Sequence, residues 1–366
     1  MIKYPVTTPA NIKQMNSLTA QRISIVITVY NCDELVSRCI NSLVKACKGC
    51  LPETIVVDNA RLPSTKQLIE SYSDFGLKYV QMPSDGGFAG ANNVGYALCS
   101  REFVILVNSD TVFHDEPFSA LIKFMDDHPN ASIAQGTVIL KNGIPGQDGL
   151  LDDGGIFFTP WGVIEMFLRG LPPSSQAAQA PCQVYFAYGA MFMIRRGCEQ
   201  QSGGFLFHDH FYAYHEEADF CHRVWLGGHE VWYVPTPVVD HAHSATFKKN
   251  FNGSIIRKRM LSNSRYSLLT CLGTRSLITV YPFFELYQIG QAIIELLRGH
   301  PGEIKLQLQA IGATFAKRHL LLETRQRIQN SRVRNDDQLF SLVMKTRNPL
   351  SYFWFKVKNR FQKSQH

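Results

Sequence analysis

Five short β-branched or apolar runs punctuate residues 23–140, and a segment of helical period follows each of the first four. The runs are 23–30 (ISIVITVY), 54–57 (TIVV), 77–81, 103–107 (FVILV) and 132–140. The helical segments are 34–47, 66–72, 89–99 and 116–127, with Leu35, Cys39, Leu43 and Ala46 on one stripe of the first. A helix between two strands provides the crossover that parallel pairing requires. The alternation therefore predicts an α/β fold, a Rossmann-like, mostly parallel, doubly wound sheet. Near-continuous apolar strands fit burial on both faces. Ligands of such sheets lie beyond the carboxyl ends of the strands, where Asp58 and Asp110 stand.

The pattern changes after residue 140. Residues 141–181 are rich in Gly, Pro, Ser and Gln and read as loops with room for a hairpin. Residues 184–195 and 230–234 are strand-like, 209–227 are helical, and the chain is helical beyond Leu268. The organisation expected is an N-terminal extension (1–21), a domain at 22–267 with halves 22–140 and 141–267, and a C-terminal helical extension (268–366). At 45% hydrophobic and 18% charged residues, the chain has material for a sizeable core. Residues 298–366 hold 14 Lys and Arg against 4 Asp and Glu, while the remainder is net −3. A basic tail on a mildly acidic body points to an anionic partner. Nine cysteines without the density of a disulfide framework read as reduced thiols of a cytoplasmic protein. No secretory signal is read in the first 22 residues, and no uncharged apolar run approaches the ~18 residues of a membrane span.

Several segments carry chemistry. Asn108-Ser109-Asp110 puts a carboxylate at a strand end, where a hard divalent cation is commonly held together with substrate phosphates. The same residues are good turn formers. Asp58 admits the same two readings, as a ribose or base-edge acceptor or as a turn residue. Asp85–Asn93 is a strand-to-helix turn whose glycines allow close backbone approach to an anionic ligand. Its G-G-x-x-G spacing is neither a dinucleotide fingerprint nor a Walker A loop. Tyr214–Arg223 packs three acids, Glu216, Glu217 and Asp219, into four positions. That is either a general base of raised pKa or a solvated first turn of a helix. His241-Ala242-His243 follows a strand and a Pro-x-Pro turn. Imidazole is a frequent metal ligand, but no Cys cluster or helical His pair points to zinc. The lone C-x-x-C at Cys47 and Cys50 reads as structural.

In order along the chain, ISIVITVYN (23–31), IVVDNA (55–60), GFAGANNVG (87–95), LVNSDT (106–111), YGAMFMIRR (188–196), Gly203–Phe205, YHEEADFCHR (214–223) and 234–241 resemble the family 2 inverting glycosyltransferases of the GT-A fold. The likeness covers roughly residues 22–265 and points to the rhamnosyltransferase-like branch of bacterial surface-polysaccharide enzymes. It implies transfer of a sugar from a nucleotide-diphosphate donor, dTDP-rhamnose or a UDP-sugar, to a hydroxyl of a glycan or lipid-linked acceptor. It implies Thr28, Tyr30 and Asp58 as base and ribose contacts, with Gly87, Phe88, Asn92 and Asn93 as a wall of the nucleotide pocket. Asn108-Ser109-Asp110 stands at the family's metal motif, so Asp110 would be the main ligand of Mg2+ or Mn2+, with Asn108 and His241 beside it and Ser109 among the donor-binding residues. Glu217 stands at the catalytic base, with Glu216 and Asp219 as competitors for that role.

The chain departs from the family pattern at four places. Asn108 replaces the first acid of the metal motif, and Glu217 is one methylene longer than the usual Asp. Arg61–Ser64 replaces the usual Ser-x-Asp-Gly, and Asp85 stands where Asn is common. An inverting transfer needs one base and a cation for the departing diphosphate, and no nucleophilic residue. A nucleotidyltransferase would want a Gly-rich, basic triphosphate loop near the first strand, which residues 29–38 lack. A non-catalytic scaffold with a degenerate site would account for Asn108.

Leu277–Leu297 is largely apolar but carries Glu285, Gln288, Gln291 and Glu295 on one stripe, opposite Leu286, Ile289, Ile293 and Leu296, with Pro282 at its start or at a kink. Two readings stand. The helix docks on the catalytic domain or on a second subunit of a homodimer. Alternatively it lies in a membrane interface near a lipid-linked acceptor, aided by the basic tail and by Phe353, Trp354 and Phe355. The expectation is a cytoplasmic protein, peripheral on the inner face of an anionic membrane, binding no nucleic acid.

Overall fold

The first apolar run becomes strand β1 (Ile23–Val29), preceded by a short helix α1 (Ser17–Ala20). The computed structural model describes residues 17–141, 146–153, 156–166, 168–242 and 253–344. Alternate side chains of β1 divide the core into two layers. Ile25 and Ile27 face α2 (Asp33–Ala46), whose buried stripe is Val36, Cys39, Ile40, Leu43 and Ala46. Leu35 is only partly buried, so the stripe sits one residue on from the expected one. Val26 faces the other layer, where α4 (Gly87–Leu98) closes on it. A Cβ at Gly95 would stand 2.3 Å from Val26 Cγ1, so only glycine permits that approach.

Strands β2 (Glu53–Asp58), β3 (Lys78–Gln81) and β4 (Phe103–Asn108) join β1 in the parallel order β3-β2-β1-β4 that the alternation predicts. α3 (Pro63–Glu70) starts earlier than its apolar period indicates, because Pro63 fits the first helical turn. α5 (Ser119–Asp127) starts later, because the Glu116 carboxylate accepts from the Phe118 and Ser119 amides at 2.7 and 3.1 Å. Beyond β4 the sheet becomes mixed. β11 (Met191–Arg195) lies antiparallel between β4 and β6 (Ala131–Leu140), and β12 (Glu230–His241) runs parallel to β6. β5 (Thr111–Phe113), β7 (Leu151–Asp153) and β10 (Cys182–Gln183) complete ten strands. β8 (Ile156–Phe158) and β9 (Ile164–Met166) form a separate hairpin inside the loop-rich region.

Three expectations change. Residues 184–190 are not strand; they leave the sheet, and Tyr185 and Phe186 bury themselves along a cavity wall. The helix expected from 209 begins only at Glu216, as α6 (Glu216–Leu226). The strand expected to stop at 234 runs on to His241, with Pro235–Pro237 absorbed as an irregularity in its pairing with β6.

The C-terminal helices are α7 (Gly253–Cys271), α8 (Thr274–Thr279), α9 (Tyr281–Leu297), α10 (Gly302–Phe315), α11 (Arg318–Asn330) and α12 (Asp336–Val343). α7 runs unbroken through the expected boundary at 267–268 and packs on α6, α10 and α11. Pro282 sits in the first turn of α9 and starts it. All nine cysteines are free thiols. Among the described residues no helix is long and apolar enough to cross a membrane. His243, Phe353, Trp354 and Phe355 lie outside the described residues.

Candidate active site

A cavity of about 970 Å³ opens at the carboxyl edge of the parallel strands. Strand and helix ends deliver its polar groups. Thr28 and Tyr30 come from the end of β1, and Asn59 from the turn after β2. Gly87 and Phe88 come from the start of α4, and Asn108, Ser109 and Asp110 from the turn after β4. His241 ends β12, while Glu216 and Glu217 open α6. Phe158, Tyr185, Phe186 and Phe284 give the far wall an apolar lining, and Gln288 and Gln291 of α9 close it.

Asp110 and His241 form the first chemical corner. The last three residues of β12 pair with β5, which brings His241 beside the Asn108–Asp110 turn. Its Nε2 lies 3.1 Å from Asp110 Oδ1, and its Nδ1 lies 2.8 Å from Asp152 Oδ2. Asp152 is wholly buried and is also met by Arg169 at 3.3 Å. Burial opposes charge on this imidazole, but the two carboxylates outweigh it and push it up to about 9. Asp152, as the acceptor for Nδ1–H, fixes the ring so that Nε2 faces Asp110. Two neighbouring ligands each ~2.1 Å from an octahedral cation stand ~3 Å apart, so the Asp110–His241 spacing suits such an ion. The donor set, one carboxylate and one imidazole beside Asn108 and Ser109, fits a cation completed by substrate oxygens, with the Nε2 proton of His241 given up as the cation binds. Among the described residues no group of three or more His, Cys, Asp or Glu is arranged to hold a metal unaided.

Glu217 forms the second corner. The residues before α6 are held in an uncommon backbone: Tyr212, Tyr214 and His215 have φ of 62°, 74° and 77°. Such angles are strained for bulky side chains and persist only where neighbours hold them. Three clamps do so. The Asn263 amide of α7 donates to the carbonyls of Phe211 (3.1 Å), Ala213 (3.3 Å) and Tyr214 (2.7 Å). The Ala89 amide donates to the Tyr212 carbonyl at 3.0 Å. The Tyr212 hydroxyl donates to Asp85 at 2.6 Å. Glu217 then enters the cavity past Gly189, where a Cβ would stand 2.0 Å from Glu217 Oε1.

The three acids of α6 are driven apart. Burial pushes the Glu217 carboxyl up to about 7. Burial and the neighbouring Glu217 push the Glu216 carboxyl well above its ordinary range. Burial acts on Asp219 too, but Arg223 at 2.8 Å and His208 at 3.4 Å overcome it and hold Asp219 down to about 2. A base working near neutral pH is best served by a pKa near 7, and Glu217 alone of the three combines that with a place on the cavity.

Four expected site residues stand off the cavity. Asp58 is wholly buried and accepts from the Arg61 amide (2.8 Å) and the Tyr79 hydroxyl (2.9 Å), so it shapes the turn while Asn59 reaches the cavity. Asn92 donates back to the Phe88 carbonyl within α4. Asn93 donates to the Phe207 carbonyl and to Asp209, tying α4 to the loop before α6. Asp219 belongs to the buried Arg223 pair. Conversely, sequence reasoning missed Asp152, Gly189 and Asn263. The Asp-Asp-Gly-Gly run at 152–155 was the available signal for Asp152; nothing local marks Asn263.

The profile of Glycosyl transferase family 2 matches residues 24–201. Over those residues, just under half of its length, the chain is similar to that family. The matched span includes Asp110, Asp152 and Gly189 and ends before Glu217 and His241. Poly(ribitol-phosphate) β-N-acetylglucosaminyltransferase TarS of Staphylococcus aureus is 29% identical to the chain over 113 residues, 29% of this chain and 19% of the relative. Glycosyltransferase GlyG of Streptococcus pneumoniae is 22% identical over 104 residues, 28% of this chain and 34% of that one. These matches thus span only a fifth to a third of the curated relatives' length. Among solved structures, S. aureus TarS 1–349 in complex with UDP-GlcNAc superposes with a TM-score of 0.52 at 17% identity, covering 85% of this chain and 89% of that one. At that identity the likeness shows the fold alone. The α/β domain has the GT-A fold.

Proposed function

We propose that the cavity transfers a sugar from a nucleotide-diphosphate donor to a hydroxyl of a glycan or lipid-linked acceptor, with inversion, in the synthesis of a surface polysaccharide. The observation that carries this reading is that one cavity is lined both by the Asp110–His241 pair and by Glu217, a carboxyl group brought to about 7. In this reading Glu217 takes the proton of the acceptor hydroxyl. The freed oxygen attacks the anomeric carbon from the face opposite the diphosphate, and the bond between carbon and diphosphate oxygen breaks. The product carries inverted configuration, and no covalent enzyme intermediate forms. Asp110 and His241 would hold Mg2+ or Mn2+, which would offset the charge growing on the diphosphate. Thr28, Tyr30 and Asn59 stand where the nucleoside would lie. The apolar far wall supports an acceptor with an apolar part.

A UDP-sugar and dTDP-rhamnose both remain candidate donors. TarS, whose solved complex holds UDP-GlcNAc, supports the first; the sequence stretches that resemble the rhamnosyltransferase-like branch support the second. The test is a thermal-shift series with nucleoside diphosphates and Mg2+ or Mn2+, followed by donor hydrolysis. Ligand at a hundredfold excess over Kd stabilises by about 2.7 kcal/mol. Stabilisation by UDP or dTDP with slow hydrolysis of the matching sugar nucleotide is the expected result. A preference for triphosphates would favour a nucleotidyltransferase, and binding without any turnover a scaffold.

A further inference from the structure

α9 turns its polar stripe inward beside Phe284 and Ala292 and exposes its aliphatic residues. Its buried residues are Phe284, Gln288 and Ala292, while Leu286 is 62% and Ile289 54% exposed, with Ile293 beside them. α10 packs against it and exposes Ile304, Leu308 (65%) and Phe315 at helical spacing. Trp161, on the β8–β9 turn whose Gly162 touches Phe284, is exposed as well. The orientation is fixed from within. Arg265 of α7, almost wholly buried, meets Glu285 at 2.9 Å and Gln307 at 2.7 Å. Turning α9 to bury its leucines would strip Arg265 of its carboxylate.

Charge on this layer is one-sided. The acids of residues 274–322 are Glu285, Glu295 and Glu303. Each is partly buried and paired, with Arg265, with Arg298 and His300, and with Arg257. Lys305 of α10 and Arg318, at the start of α11, stand exposed. The chain beyond Met344 adds six Lys and Arg and no acid. An isologous contact with a second copy would set this positive face against itself. A surface that is apolar beneath and anionic at its rim complements it.

We propose that the outer face of α9 and α10 docks on an anionic lipid bilayer. α9 and α10 line the cavity with Gln291, Glu295 and Glu303 from their inner sides, and the exposed His300 and Gly302 between the two helices line it as well. Docking therefore brings the part of the cavity lined by His300 and Gly302 close to the headgroups. This holds whether or not the transfer reaction assigned above is correct.

The test is co-sedimentation of the full chain with phosphatidylcholine vesicles, with and without phosphatidylglycerol, at low and high salt. The triple variant Leu286→Glu, Ile289→Glu, Leu308→Glu changes exposed residues outside the cavity lining. Its melting temperature and nucleoside-diphosphate binding report that fold and donor site are intact. The wild type should pellet with anionic vesicles and be partly released by salt, and the triple variant should pellet about tenfold less. Lys305→Glu with Arg318→Glu should lose the preference for anionic vesicles and keep the fold. Failure of the wild type to bind either vesicle, or equal pelleting of wild type and triple variant, overturns the proposal. A wild-type dimer that the triple variant converts to monomer, without vesicle binding, would assign the face to a second copy. Loss of nucleotide binding by the wild type would sink the transferase reading and leave this one standing.

Discussion

The central sheet buries apolar side chains on both faces, whereas the α9–α10 layer buries polar and apolar ones together. In the sheet, Ile25, Val26, Ile27, Ile105 and Leu106 are wholly buried, and successive side chains enter two apolar layers. In α9 the inward face carries Glu285, Gln288 and Gln291, and the aliphatic face is open. A strand buried on both sides has no wrong way round, whereas an amphipathic helix has two faces and its period does not say which one the protein takes. Here a group on another helix decides. A buried guanidinium such as Arg265 is tolerable only with a carboxylate and hydrogen-bonding partners. Glu285 and Gln307 supply them only when the polar stripe faces in.

The comparison can be broken or sharpened at four positions. Arg265→Ala leaves Glu285 and Gln307 without their partner and should cost about 3–5 kcal/mol, read as a lower urea midpoint. A cost under ~1 kcal/mol would mean that the network does not hold the layer. Leu106→Ala, in the closely packed sheet, should cost about 2–5 kcal/mol by the same measurement. Asp152→Asn, which loosens the ring of His241, should weaken Mn2+ affinity about 10- to 100-fold by titration calorimetry. Unchanged affinity would remove Asp152 from any metal role. Leu286→Ser should change stability by no more than ~0.5 kcal/mol, because that side chain is already in water. A large loss there would erase the difference between the two regions.

Most of the parallel half was legible in the sequence because burial on both faces writes itself as continuous apolar strands. Asp110 and His241 were legible as polar residues at strand ends, and Glu217 as part of a dense acid cluster. What stayed hidden depends on distant partners. Residues 184–190 are apolar because they line a cavity, which mimics the pattern of a strand. Residues 209–215 have helical period, yet Asn263 and the Gly87 turn hold Tyr212, Tyr214 and His215 at positive φ and delay the helix. Asp58 and Asp219 share the residue type and neighbourhood of the acids that line the cavity, but Tyr79 and Arg223 claim them. The inward turn of the α9 polar stripe was invisible until Arg265 was in place.

The central claim is that Glu217 is the base of a sugar transfer, and the most direct test follows the pH dependence of product formation by wild type and Glu217→Gln. A base must be deprotonated to act, so the wild-type rate should rise with pH through about 7 and level off above it. Glu217→Gln should bind the nucleoside diphosphate nearly as well and turn over about 10²–10⁴ times more slowly, with that acid limb gone. Wild-type turnover by Glu217→Gln, together with loss of activity in Glu216→Gln or Asp219→Asn, would contradict the account.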